Sequence, residues 1–304
     1  NVKAAHVSED SEARAREKAE DLKNFQSDMH QVEQIDEQII DALVNYGQVI
    51  NVDNIQAASM LIFDRGSVFG KVIRQDDKDA GNADETDSQD GGLPESDGAD
   101  GDVLKQADAF IENLTDARQA KVSYQEIISE ANRAVEHMIY ENASSHIDVK
   151  AAKALYKGLA LAGNLAKEEN YEIPMDIDGE ITSVNLKIYH NASKTGKVAV
   201  TFDTEKFGKV AAEFDVTEKR ISGMVVYENR AGKADLEQLE QAVTRELGRT
   251  GNKQVGISLV QTKSVDLNKF GQDRDIGNSK DTKVPTGELY RTAKAFLTAL
   301  KKEK

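Results

Sequence analysis

The feature that most restricts this chain is a change of period at Tyr171. From there to Tyr227, apolar residues recur at every second position, the spacing that places side chains on one face of a strand. "YEIPMDI" alternates Tyr171, Ile173, Met175 and Ile177. Asp178-Gly179 follows, a pair that tolerates the positive φ of a tight hairpin turn. The return run sets Val184, Leu186 and Ile188 against Asn185, Lys187 and Tyr189. "HNASKTG" reads as a second turn, and Val198, Val200 and Phe202 mark the next strand. After a break at Phe207-Gly208, Val210, Ala212, Phe214 and Val216 share one face, with Glu213 and Asp215 on the other. Ile221, Gly223, Val225 and Tyr227 repeat the pattern after a turn at Glu218-Lys219. A sheet with one apolar face must be covered.

The cover read from the sequence is a helix in which Leu236, Leu239, Val243 and Leu247 are spaced three, four and four. Fully buried, those four side chains would contribute about 6–12 kcal/mol of gross hydrophobic free energy. Gly248 or Gly251 can end the helix, and "QVGISLV" returns as a strand. A polar loop from Ser264 to Lys283 leads to a closing amphipathic helix with Leu289, Ala293, Phe296, Leu297 and Leu300 on one stripe. Lys301 and Lys302 suit its C-terminus.

Ahead of the sheet the pattern is helical. Residues 1–74 form a helical region: Ser8 and Ser11 are cap candidates, and a weak apolar face of Leu22, Phe25 and Met29 follows. Ile35, Ile39, Leu43 and Tyr46 then fall at helical spacing before Gly47, and Asp53 can cap a stripe of Ile55, Ala58, Leu61 and Ile62. Residues 75–102 hold eleven Asp or Glu and one Lys, so −10 of the chain's net −15 sits there. With Leu93 as its one large apolar residue, this segment cannot offset its ordering entropy and reads as a disordered acidic linker. Its Asp-Gly pairs supply no register of a calcium loop. Residues 103–169 read as a helical brace of three stretches, Val103–Lys121, Ser123–Ala143 and Ile147–Glu169, with a capping-box spacing at Ser123 and Glu126. The remaining units are the sheet-and-helix domain at 170–263 and the polar loop with its C-terminal helix at 264–304. The expected class is α+β.

Several chemistries find no support. There is no cysteine, so disulfides and thiolate metal sites are excluded. His6, His30, His137, His146 and His190 are scattered without metal-ligand spacing. "GRTGNK" at 248–253 has two residues between its glycines, where a phosphate loop needs four, and Gln254 follows Lys253. "DIDGEI" brings Asp176, Asp178 and Glu180 together and could suggest a hydrolase, but alternation across a hairpin turn ordinarily points such carboxylates to solvent. The two helices flanking Gly47 have the outline of a helix-turn-helix, yet Arg65 is the only cation the second offers to phosphates. No apolar run approaches the roughly 18 residues of a membrane span. We therefore expect no catalytic residue, no metal, no cofactor, no small-molecule substrate, no nucleic acid and no membrane insertion. The chain opens at Asn1, and we read it as a fragment or processed chain whose native start would carry any export signal.

From Glu205 to Val260, "FGKVAAEF", "ISGMVV", "LEQLEQAVTRELGRTG" and "VGISLV" resemble the C-terminal domain of the flagellar hook-length control protein family. That family enters with L-G-x-V-x-V-x-L, adds a second strand, a helix of the form L-x-x-L-R-x-x-L-x-x-x-G, and a last strand. Phe207-Gly208-Lys209-Val210 stands at the entry, and Leu236, Leu239, Val243, Leu247 and Gly251 lie along the helix. The family's Pro before Leu-Gly is replaced by Thr204-Glu205-Lys206, and its Leu-Arg pair by Leu239-Glu240, with Arg245 further on. The resemblance implies a non-enzymatic switch. It would act in the bacterial cytoplasm on a component of the flagellar type III export gate and change which substrates are exported. An acidic, cysteine-free chain also suits passage through the flagellar channel. Phe207, Gly208, Lys209 and Arg245 are the candidate partner-binding residues, docking through an edge near Phe207–Lys209 or through the outer face of the sheet. An adaptor or structural interaction protein built on the same module is the alternative.

Overall fold

Six strands follow the alternation closely: β1 Asn170–Ile177, β2 Glu180–His190, β3 Gly196–Thr204, β4 Gly208–Val216, β5 Arg220–Glu228 and β6 Gln254–Thr262. They come from a computed structural model that describes residues 39–40, 43–44, 48–62, 68–73, 99–141, 149–190, 196–228, 233–249, 253–265, 267 and 286–302. The helices expected before residue 39, the acidic segment up to residue 98, the turn at 191–195, Gly251 and most of the loop after 267 lie outside these residues. The strands form one sheet in sequence order, antiparallel from β1 to β5 and parallel between β5 and β6. The class is α+β.

Register explains why alternation was so readable. Tyr171, Leu186, Val200, Ala212, Val225 and Leu259 are successive partners across the six strands, so the apolar set of each run falls on one face. The β1–β2 turn uses Asp178 (φ 58) and Gly179 (φ 81), and the Asp176 carboxylate accepts the Gly179 N–H at 2.8 Å. Gly208, at φ 66, closes the 205–207 turn between β3 and β4. At Asp178, valine should cost about 1–2 kcal/mol, because a β-branched side chain opposes the left-handed region. Asn should be nearly neutral there. Urea midpoints of the two variants give the comparison.

The helices are α1 Val52–Ile62, α2 Ala99–Glu112, α3 Ala117–Glu141, α4 Val149–Leu165, α5 Lys233–Gly248 and α6 Thr286–Lys302. Residues 68–73 are also helical. The boundary between the first two brace helices departs from expectation. Asp116, rather than Ser123, starts α3, its carboxylate accepting the N–H groups of Arg118 and Gln119 at 2.9 and 3.0 Å. Ser123 is buried within that helix. α2 also begins three residues before the expected end of the linker.

A larger correction concerns the cover of the sheet. α5 packs on β6 and on α6, whereas α6 touches β1, β2, β3 and β4 and occupies the middle of the inner face. Leu289, Tyr290, Phe296, Leu297 and Leu300 are all fully buried, and the Phe296 ring lies 5.2 Å from that of Phe214. Leu239, Val243 and Leu247 of α5 are buried as expected, while the side chain of Leu236 lies outside those described. α2 and α4 reach β1, where Phe110, Tyr124 and Tyr171 form a triangle of rings with centroids 5.2–5.6 Å apart. One apolar core thus runs from Ile39 to Leu300. Among the described residues, the outer face carries a small second cluster, Ala211, Val226 and Val265, formed where the chain turns back after β6.

Candidate functional site

The expected contact residues do not come together. β3 and β4 are internal strands, so the turn at Phe207–Lys209 lies at an end of the sheet and not on an edge. Phe207 is fully buried, edge-on to Phe202 at 6.4 Å, with its N–H on Thr204 Oγ1 at 3.1 Å. Its role is core packing, and Gly208 beside it is buried too. Lys209 is exposed opposite Asp203. Arg245 is exposed in the last turn of α5. That turn leads to β6, which starts beside Arg220, whereas Lys209 precedes Val210, the partner of Tyr227 at the other end of β5. Roughly a strand length, about 25–30 Å at 3.3 Å per residue, separates the two ends.

The carboxylates of "DIDGEI" have separate structural partners. Asp176 holds its own turn, and Asp178 pairs with Lys206 at 2.9 Å. Glu180 accepts the Glu205 N–H at 2.7 Å. Together they tie the β1–β2 turn to the β3–β4 turn. Lys253 of "GRTGNK" likewise donates to the Thr217 carbonyl and to Glu288 at the start of α6. Among the described residues no group of three or more His, Asp or Glu is placed to hold a metal ion, and no helix is long and apolar enough to cross a membrane.

One polar cluster was not foreseen. The 3-10 turn Ala166–Glu168 ends at Glu169, which takes the left-handed conformation (φ 57) although it is not glycine. That backbone bend aims its carboxylate at β2 and α6. His190 bonds to one oxygen, and the Tyr290 hydroxyl donates to the other at 2.5 Å. Burial alone would push this carboxyl up. The hydrogen bonds from His190 and Tyr290, with the charges of His190 and Lys121, outweigh it and hold the group below its ordinary range. Burial pushes the Tyr171 hydroxyl up to about 12. It raises Tyr290 much further, helped by Tyr171 and Glu169. Both phenols therefore stay neutral, and of the two it is Tyr290 that donates to the carboxylate. The cluster clamps α6 to the sheet. Residues 169, 190 and 290 share no local spacing, so no sequence pattern marked them.

The two edges of the sheet are treated differently. Along β1, Pro174 removes a donor, and Tyr124 of α3 donates to the Glu172 carbonyl at 2.9 Å and accepts the Glu172 N–H at 3.2 Å. β6 is the other edge strand, and no described strand lies beyond it. Every residue of this strand is exposed or half-exposed, and Gln254–Thr262 contains no charge and no proline. On the outer face Met224 is 40% exposed and Val260 39%. They are near neighbours across the strand pair, since Met224 is opposite Ser258 and Val226 opposite Val260. Lys263 follows, exposed.

No protein-family model, curated protein or solved structure matches the chain.

The β5–β6 margin is therefore judged on its geometry alone. An uncharged edge strand with two part-exposed apolar side chains beside it is suited to contact with a partner segment.

Proposed function

We propose that this chain is a non-enzymatic binding protein resembling the flagellar hook-length control family. It acts as a substrate-specificity switch on the flagellar type III export apparatus, from the bacterial cytoplasm, and docks its export-gate partner along the β5–β6 margin. The observation that carries the reading is the pair of exposed apolar side chains Met224 and Val260 on the outer face at the β5–β6 margin, in a sheet whose other face is covered by helices. Support also comes from connectivity. The residues that carry the resemblance form one contiguous unit, hairpin β4–β5, crossover α5 and parallel β6. The proposed contact set moves from Phe207 and Gly208, which are interior, to Met224 and Val260.

Deleting the gene should give overlong hooks or loss of filaments, scored by electron microscopy of isolated hook structures. Normal hooks and full motility would remove the flagellar reading. In binding assays with the cytoplasmic part of the export gate, the pair Met224→Asp and Val260→Asp should weaken affinity at least about tenfold, or 1.4 kcal/mol. Both positions are solvent-facing, so the unfolding midpoint should hardly move. Unchanged affinity would shift the docking surface elsewhere.

A further inference from the structure

We propose that the Glu169–His190–Tyr290 cluster is a proton-operated latch: when it opens, the first turns of α6 leave the sheet while the C-terminal half stays docked. The inference does not depend on the flagellar reading, because it concerns the purified chain alone.

Three observations carry it. The first is that the two halves of α6 are fastened by different chemistry. In the C-terminal half the fastening is apolar: the Phe296 ring lies against Phe214, and Leu297 and Leu300 are fully buried. Lys294 adds a bond to the Glu112 carbonyl, and the exposed pair Lys301–Asp108 carries little weight. In the first turns, two ties run through carboxylates. Glu288 is bonded to Lys253, and the Tyr290 hydroxyl donates to Glu169. The apolar contact beside them rests on bare backbone, since Leu289 sits on Gly196, where a Cβ would come within 2.6 Å of it.

The second is that the fixed and moving parts of the latch are distinct. Glu169 is pinned through its backbone: its N–H is on the Ala166 carbonyl at 3.2 Å, and its own carbonyl accepts the Ile188 N–H at 3.0 Å. It holds the left-handed conformation without being glycine, a strain that surrounding contacts must offset. His190 ends β2, paired with Gly196. Both stay with the sheet, and Tyr290 departs with α6.

The third is that one proton undoes the fastening at one point. Among the described residues, Glu169 is faced by His190 of β2, Tyr290 of α6, Tyr171 of β1 and Lys121 of α3. Once Glu169 is protonated, Lys121 loses its counter-charge and the Tyr290 hydroxyl loses its ionised acceptor, the stronger kind. The contacts of Phe296, Leu297 and Leu300 involve no such group and are left as they were.

Hydrogen exchange of the whole chain, read by mass spectrometry over residues 286–293 and 294–302 and corrected for the pH dependence of intrinsic exchange, separates the two halves. Between about pH 7 and about pH 3.5, opening of 286–293 should rise at least about tenfold relative to 294–302. Glu169→Gln should produce that rise at neutral pH and leave little further response to acid. Tyr290→Phe, which keeps the ring, should also loosen 286–293 at neutral pH. Gly196→Ala, which touches no titratable group, should open the same segment by displacing Leu289 and should keep the response to acid. Equal exchange of both halves at every pH would overturn the proposal, since α6 would then leave as one unit. So would a Glu169→Gln variant whose 286–293 segment is as protected at neutral pH as that of the wild type.

Discussion

Replacing Phe296 with alanine should cost about 3–5 kcal/mol, the range for removing a large aromatic ring from a packed core. Phe296 is fully buried, contacts Phe214 from the centre of the sheet, and sits in the helix that reaches four of the six strands. Such a loss is a large part of the roughly 5–15 kcal/mol by which domains are normally stable. Leu239→Ala in α5 should cost about 2–5 kcal/mol, toward the lower end, since α5 covers the β6 margin and not the middle. Urea unfolding followed by circular dichroism measures both. If Phe296→Ala cost less than about 1 kcal/mol, α6 would not be the central cover.

The second large effect lies in acid. Glu169 has an ordinary value of 4.5 when unfolded and is held lower in the fold, where His190, Tyr290, Lys121 and Tyr171 face it. A carboxyl with a lowered folded value stabilises the fold fully above its unfolded value. It loses that contribution as pH falls through the folded one. Glu169→Gln has no such proton to take up. At neutral pH this variant should be less stable by about 1.5–3 kcal/mol, the worth of hydrogen bonds to a charged group. Below pH 4.5 the gap between wild type and variant should narrow. Denaturant titrations of both proteins from about pH 7 to about pH 3 read it directly. A gap that stays constant would mean that the partners gain nothing from the ionised carboxylate.

Much of the sheet could be read in advance because its chemistry is local. The period of two, the Asp178-Gly179 turn and the Gly208 break each depend on residues close in sequence, and the strands fall where these placed them. Helix boundaries were less legible: Ser123 with Glu126 imitates a capping box, but the Asp116 carboxylate caps the helix about two turns earlier. Which helix covers the sheet was not legible at all. Both α5 and α6 carry an apolar stripe, and the choice between them is made by packing. Gly196 shows this, since a Cβ there would lie 2.6 Å from Leu289 of α6. The Glu169 cluster was hidden for the same reason, being assembled from three distant segments.

The position of α6 has a consequence for how the protein is made. All six strands leave the ribosome before this helix does, and synthesis proceeds at about 5–20 residues per second. For seconds, then, the nascent meander lacks the helix that covers the middle of its greasy side, and chaperone engagement is most needed in that interval.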